Sequence, residues 1–94
     1  MSVEYVIHVD DKVDNLLSFI VERIKENQPS SRINTDGSLW IPSSYSNWID
    51  FSIEDHEDGF FIVNNLNGSD RDKLFSLIFT AFHELSIKYE IEEV

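Results

Sequence analysis

The chain has 94 residues, with 18 acidic side chains against 7 basic ones, for a net charge of −11 with histidines neutral. Its length sets a single domain over residues 1–94, and 41% hydrophobic content with 13% aromatic residues supplies a core, which excludes wholesale disorder. The charge argues against a nucleic-acid or anionic-membrane binder, because phosphate surfaces select Lys and Arg, and zero Cys excludes disulfides, thiolate metal sites and a Cys nucleophile.

Residues 3–9 are rich in β-branched side chains, with Val3, Tyr5, Ile7 and Val9 on one face and Val6 on the other. They predict a strand with apolar residues on both faces. Asp10 or Asp11 stands where a helix N-cap belongs, with Asp14 in the first turn. From residue 12 to about 27, Val13, Leu16, Leu17, Ile20, Val21 and Ile24 recur at helical spacing, and Pro29 prevents continuation. Residues 32–35, the turn signal Asp36-Gly37 and residues 38–41 read as a hairpin or a bent strand. Residues 42–46 are a loop, and residues 47–54 alternate, with Ile49, Phe51 and Ile53 opposed to Trp48, Asp50, Ser52 and Glu54.

Residues 55–59 predict a turn, residues 60–64 a returning strand, and Ser69 or Asp70 a second cap. The last helix is expected from about residue 71 to 89, with Leu74, Leu77, Ile78, Ala81, Phe82 and Leu85 facing the core and Phe75 and Phe79 widening the stripe. Residues 90–94 are expected to fray as an acidic tail that could add to the negative field of a binding surface. The order β-α-β-β-β-α predicts an α+β two-layer sandwich, a mostly antiparallel sheet with two helices on one face. The start of the chain lacks a basic region and a long apolar run, which argues against a secretory signal, and no apolar stretch approaches ~18 residues.

Chemistry-bearing patterns are few. A calcium loop at residues 55–59 lacks the required ligand spacing. His83-Glu84 lacks the second zinc-protease histidine, because position 87 is Ile87. His8, His56 and His83 have no ligand spacing, and there is no phosphate-cradling glycine loop or nucleophile elbow. Neither catalytic residues, a metal nor a cofactor is predicted, and the expectation is not an enzyme.

The outward face of the sheet is the candidate site. Trp40, Tyr45 and Trp48 are candidate anchors for a partner, and Asp50, Glu54, Asp55, Glu57 and Asp58 place five acids and no base between residues 50 and 58. Rigid rings beside carboxylates suit a surface rich in Lys and Arg. The other reading of the same residues is a cross-strand Trp40–Trp48 pair with acids that only keep an edge soluble. The excess charge is uneven: four basic and seven acidic residues lie up to position 46, three and eleven after it.

In overall character, over its whole length, the chain resembles the small acidic immunity proteins of bacterial toxin–immunity pairs, above all those of contact-dependent growth inhibition. The likeness lies in a short cysteine-free α/β domain, strong negative charge, a start without a signal, and acidic and aromatic residues on loops and one sheet face. No motif is shared, so no residue role is carried over. The resemblance implies a cytoplasmic inhibitor that binds a basic protein partner, its cognate toxin, often a nuclease, and blocks its active site or substrate groove. It implies neither direct nucleic-acid nor membrane binding, and a monomer or weak homodimer. Two other classes fit the charge: a DNA-mimic inhibitor of restriction or other DNA-binding enzymes, and an adaptor or homodimer that self-associates through the open face.

Overall fold

The alternation of apolar side chains decides which face of the sheet the helices cover. A computed structural model describes residues 2–44 and 47–94. Its elements run β1 (Val3–Val9), α1 (Leu16–Asn27), β2 (Arg32–Ile33), β3 (Leu39–Pro42), β4 (Ile49–His56), β5 (Gly59–Asn64), α2 (Gly68–Glu84) and β6 (Tyr89–Glu93). The strands form one sheet in the order β2-β3-β4-β5-β1-β6, and every neighbouring pair is antiparallel. The α+β sandwich expected from the sequence is what forms, with a sixth strand where the sequence predicts the end of α2 and a frayed tail.

Across the sheet, Leu39 lies opposite Ile53, Ile53 opposite Ile62, and Phe60 opposite Ile7, so these buried side chains share one face. They form a single cluster with Leu16, Leu17, Ile20, Val21 and Ile24 of α1 and Leu74, Ile78, Ala81 and Phe82 of α2. Both helices therefore cover that face. Phe51, Phe60 and Phe82 are fully buried there, each contributing about 1.5–3 kcal/mol relative to an exposed ring.

The two helix boundaries differ from expectation for identifiable reasons. Asn15 adopts a left-handed conformation, φ 64°, and caps α1 without a side-chain hydrogen bond, so the helix starts at Leu16 and not near residue 12. The preceding segment is anchored elsewhere. The Asp10 N–H donates to the Lys88 carbonyl at 3.0 Å, and the Lys88 N–H donates to Asp10 Oδ1 at 3.0 Å. Val13 consequently stays 39% exposed and off the core stripe.

At its other end, α2 stops at Glu84 because Ser86 turns left-handed, φ 56°. The Ser86 N–H donates to the His83 carbonyl at 3.1 Å and the Ile87 N–H to the Phe82 carbonyl at 2.9 Å, the Schellman pattern with Ser in place of the usual Gly. Ile87 is buried after the turn, whereas Leu85 is 41% exposed and does not belong to the core stripe. The reversal sends the remaining acidic segment back along β1 as β6.

The β2–β3 connection is a hairpin. Asp36 Oδ1 accepts from the Ser38 N–H at 2.9 Å and the Ser38 hydroxyl at 2.6 Å, and Gly37 supplies φ 89°. The Ser38 hydroxyl and N–H hold the Asp36 carboxyl below its ordinary range.

Candidate functional site

The helices leave the second sheet face uncovered, and period-two alternation puts a defined set of side chains there. One cross-strand row runs Arg32, Trp40, Ser52, Val63 and Glu4. The next runs Glu54, Phe61, Val6 and Glu92. Trp40, Phe61, Val63 and Val6 are half-buried and make an apolar strip across the middle. Carboxylates surround it: Glu4, Asp50, Glu54, Glu90 and Glu92 on the strands and Asp58 in the β4–β5 turn. The Asn65 side-chain amide donates to the Ile49 carbonyl at 2.8 Å and its N–H to the Asp50 carbonyl at 2.8 Å, which ties the start of β4 to the chain leaving β5.

Three cationic or titratable groups punctuate this face. The Arg32 guanidinium lies 5.0 Å from the Trp40 ring centroid, a cation–π contact across the β2–β3 pair. His56 lies 5.8 Å from the Phe61 ring. His8 links two strands and a turn: its Nδ1 is 2.8 Å from Asp58 Oδ1 and its Nε2 is 3.1 Å from Glu92 Oε1. Only imidazolium donates from both nitrogens, so the Asp58 hydrogen bond first, and the Glu92 bond second, raise the His8 pKa. The reciprocal contact lowers that of Asp58.

The structure sorts the sequence-predicted site residues into groups. Trp40, Asp50 and Glu54 stand together on the open face, as expected. Trp48 precedes β4 and is 65% exposed; its carbonyl accepts from the Ser43 N–H at 3.0 Å. Trp40 faces Ser52, so the register does not place the two tryptophans opposite each other. Tyr45 lies outside the described residues.

Asp55 is a correction. It continues the Phe51 and Ile53 side of β4, toward the helices, and its carboxylate is 3.1 Å from Lys12 Nζ. The run of acids between residues 50 and 58 is free of bases in sequence but not in space, because Lys12 also donates to the Glu57 carbonyl at 3.2 Å and lies 5.2 Å from the Phe60 ring. Glu57 occupies the turn with φ 46°. Asp58 belongs to the face through His8.

Several residues of the face escaped the sequence reading. Phe61 and Val63 alternate with buried Phe60 and Ile62, and Glu4 and His8 alternate with Tyr5 and Ile7, so period two held the signal. Glu90 and Glu92 alternate with Tyr89 and Ile91 in the same way, but a helix expected to run on to residue 89 leaves that alternation no strand to belong to. Among the described residues, no group of three or more His, Asp or Glu is arranged to hold a metal ion, and no helix is long and apolar enough to cross a membrane. In comparisons with known proteins, no family model matches the chain, and neither a curated protein nor a solved structure does.

Proposed function

We propose that the protein is an immunity protein, a non-enzymatic cytoplasmic inhibitor that binds a cognate toxin with a basic, phosphate-binding active site, a nuclease domain, through the open face of its sheet. The observation that carries this reading is the apolar strip of Trp40, Phe61, Val63 and Val6 framed by six carboxylates. An apolar centre inside a charged rim is the anatomy of a protein-binding surface. The sign of the rim selects a partner rich in Arg and Lys, whose side chains can lie over Trp40 and Phe61 while their heads meet the acids. A net charge of −11 also steers encounter with a basic cleft, an effect of about 10–10³-fold on association rate that weakens with salt.

The test looks for a toxin domain encoded beside the gene, pairs it with this protein, and measures binding by calorimetry and protection by survival of toxin-expressing cells; a neighbourhood with no such gene counts against the reading. Glu4→Lys with Glu54→Lys is expected to weaken binding by at least about 100-fold and to abolish protection, with the fold intact by circular dichroism. Asp55→Asn, on the helix side, is expected to leave affinity within about threefold. Unchanged affinity after charge reversal of the face overturns the reading.

A further inference from the structure

We infer that the outer edge of β6 is a second docking element, accepting an extended segment of a basic partner as a seventh strand. The inference rests on the partner being basic, as proposed above, and not on its being a toxin. β6 ends the strand order, so among the described residues no strand pairs with its outer edge. The Val94 N–H donates to the Glu4 carbonyl at 2.9 Å, and the Asp10 N–H to the Lys88 carbonyl at 3.0 Å. In an antiparallel ladder those two pairs set the phase: residues 88, 90, 92 and 94 turn their backbone groups toward β1. Tyr89, Ile91 and Glu93 therefore turn their N–H and C=O groups outward. That edge is a template for β-augmentation.

Side chains on the two faces of β6 specify what pairs with it. Glu90 and Glu92 lie on the open face with Val6 and His8, while Tyr89 and Ile91 lie on the helix side. Tyr89 stacks on Phe79 with ring centroids 4.8 Å apart, and beside it a groove of about 530 Å³ runs along α2, lined by Phe75, Phe79 and His83 among others. An added strand would place alternate residues toward this groove and the others beside Glu90 and Glu92. The matching segment alternates apolar and basic residues. A second copy of β6 fits worse, because antiparallel pairing about Ile91 sets Glu90 against Glu92 twice, and like charges directly opposed are destabilising.

The test titrates a short peptide alternating Lys and Val, with a Glu-for-Lys peptide as control, into the full chain and follows amide hydrogen exchange by NMR. The Lys peptide is expected to slow exchange at Tyr89, Ile91 and Glu93 by at least about tenfold, and the Glu peptide to leave it unchanged. Ile91→Pro removes an outward donor that makes no bond to β1, and is expected to abolish this protection while the Val6 and His8 amides stay protected. Glu90→Lys, which keeps every backbone donor but leaves Glu92 beside the added strand, is expected to narrow the difference between the two peptides severalfold. Absent protection at the three amides at saturating peptide, or an equal response to both peptides, overturns strand docking. If β6 fails in this way while charge reversal at Glu4 and Glu54 still abolishes toxin binding, only the strand-docking mode falls; the opposite pair of results removes the sheet-face reading alone.

Discussion

Gly59→Ala tests how the candidate face is assembled, because Gly59 lies where three strands converge. It faces His8 on β1 and His56 on β4. A Cβ built there would stand 1.6 Å from the Ile7 carbonyl oxygen and 2.7 Å from its carbon, where ordinary contact begins at 3.4 Å. Both obstructing atoms are backbone, so no rotamer relieves the clash; β1 and β5 must part by roughly 1.5–2 Å. The Val9 N–H to Asp58 carbonyl bond, now 3.1 Å, would then exceed hydrogen-bonding distance, and His8 would withdraw from Asp58. Losing about two hydrogen bonds at about 1 kcal/mol each, plus about 1–3 kcal/mol of overpacking, gives about 3–5 kcal/mol. That is a large part of the roughly 5–15 kcal/mol that holds a domain folded. In urea the unfolding midpoint should fall by about 2 M, taking a slope of about 1–3 kcal/mol per M. Gly68→Ala is the control: Gly68 has φ 55° but nothing within 4 Å of an added Cβ, so only a conformational cost of about 1 kcal/mol applies. Equal losses for the two variants, or a Gly59→Ala midpoint within about 0.5 M of the parent, would refute the close-approach argument.

The His8 bridge makes stability depend on pH with a definite sign. His8 has a raised folded pKa, so its contribution is complete below its ordinary value of 6.5 and is lost as pH rises through the raised value. Asp58 has a lowered one, so its contribution is complete above 3.8 and is lost as pH falls through the lowered value. The bridge therefore stabilises most between about pH 4 and 6.5; melting curves of His8→Gln should differ most from the parent there and converge in alkali, and a difference that grows above neutral pH would contradict this. Ser86→Gly relieves a left-handed serine and is expected to stabilise by about 0.5 kcal/mol, raising Tm by roughly 2–4 °C in calorimetry. A fall in Tm would mean that the Schellman turn is not under conformational strain.

What the sequence disclosed, and what it hid, divides along local and non-local physics. The α1 stripe, the β4 alternation and the hairpin at Asp36-Gly37 are written in spacing and turn chemistry, which act over a few residues. The start of α1 was hidden because Asp10 bonds Lys88 across the sheet, outcompeting its capping of the adjacent helix. The end of α2 was hidden because serine, not glycine, takes the left-handed position. With the helix running on to residue 89, the acids after it had no strand to belong to. The same limitation misplaced Asp55: adjacency suggested one acidic patch, whereas strand pleat turns Glu54 and Asp55 to opposite faces and gives Asp55 to Lys12.

The acids of the open face act on two associations that respond to salt in opposite directions. A sheet face that the helices leave uncovered, with Trp40, Phe61, Val63 and Val6 at its centre, invites self-association, and β6 adds an edge with no strand partner among the described residues. Carboxylates at Glu4, Glu54, Glu90 and Glu92 oppose pairing with a second negative copy while attracting a basic surface. Screening weakens both effects, since the Debye length falls from about 10 Å at 0.1 M salt to about 3 Å at 1 M. Raising salt should therefore loosen the proposed complex with a basic partner and, over the same range, drive the isolated protein toward dimers. Sedimentation velocity and partner titration at matched salt concentrations measure the two trends. If both interactions weaken together, the carboxylate rim does not oppose self-association through this face.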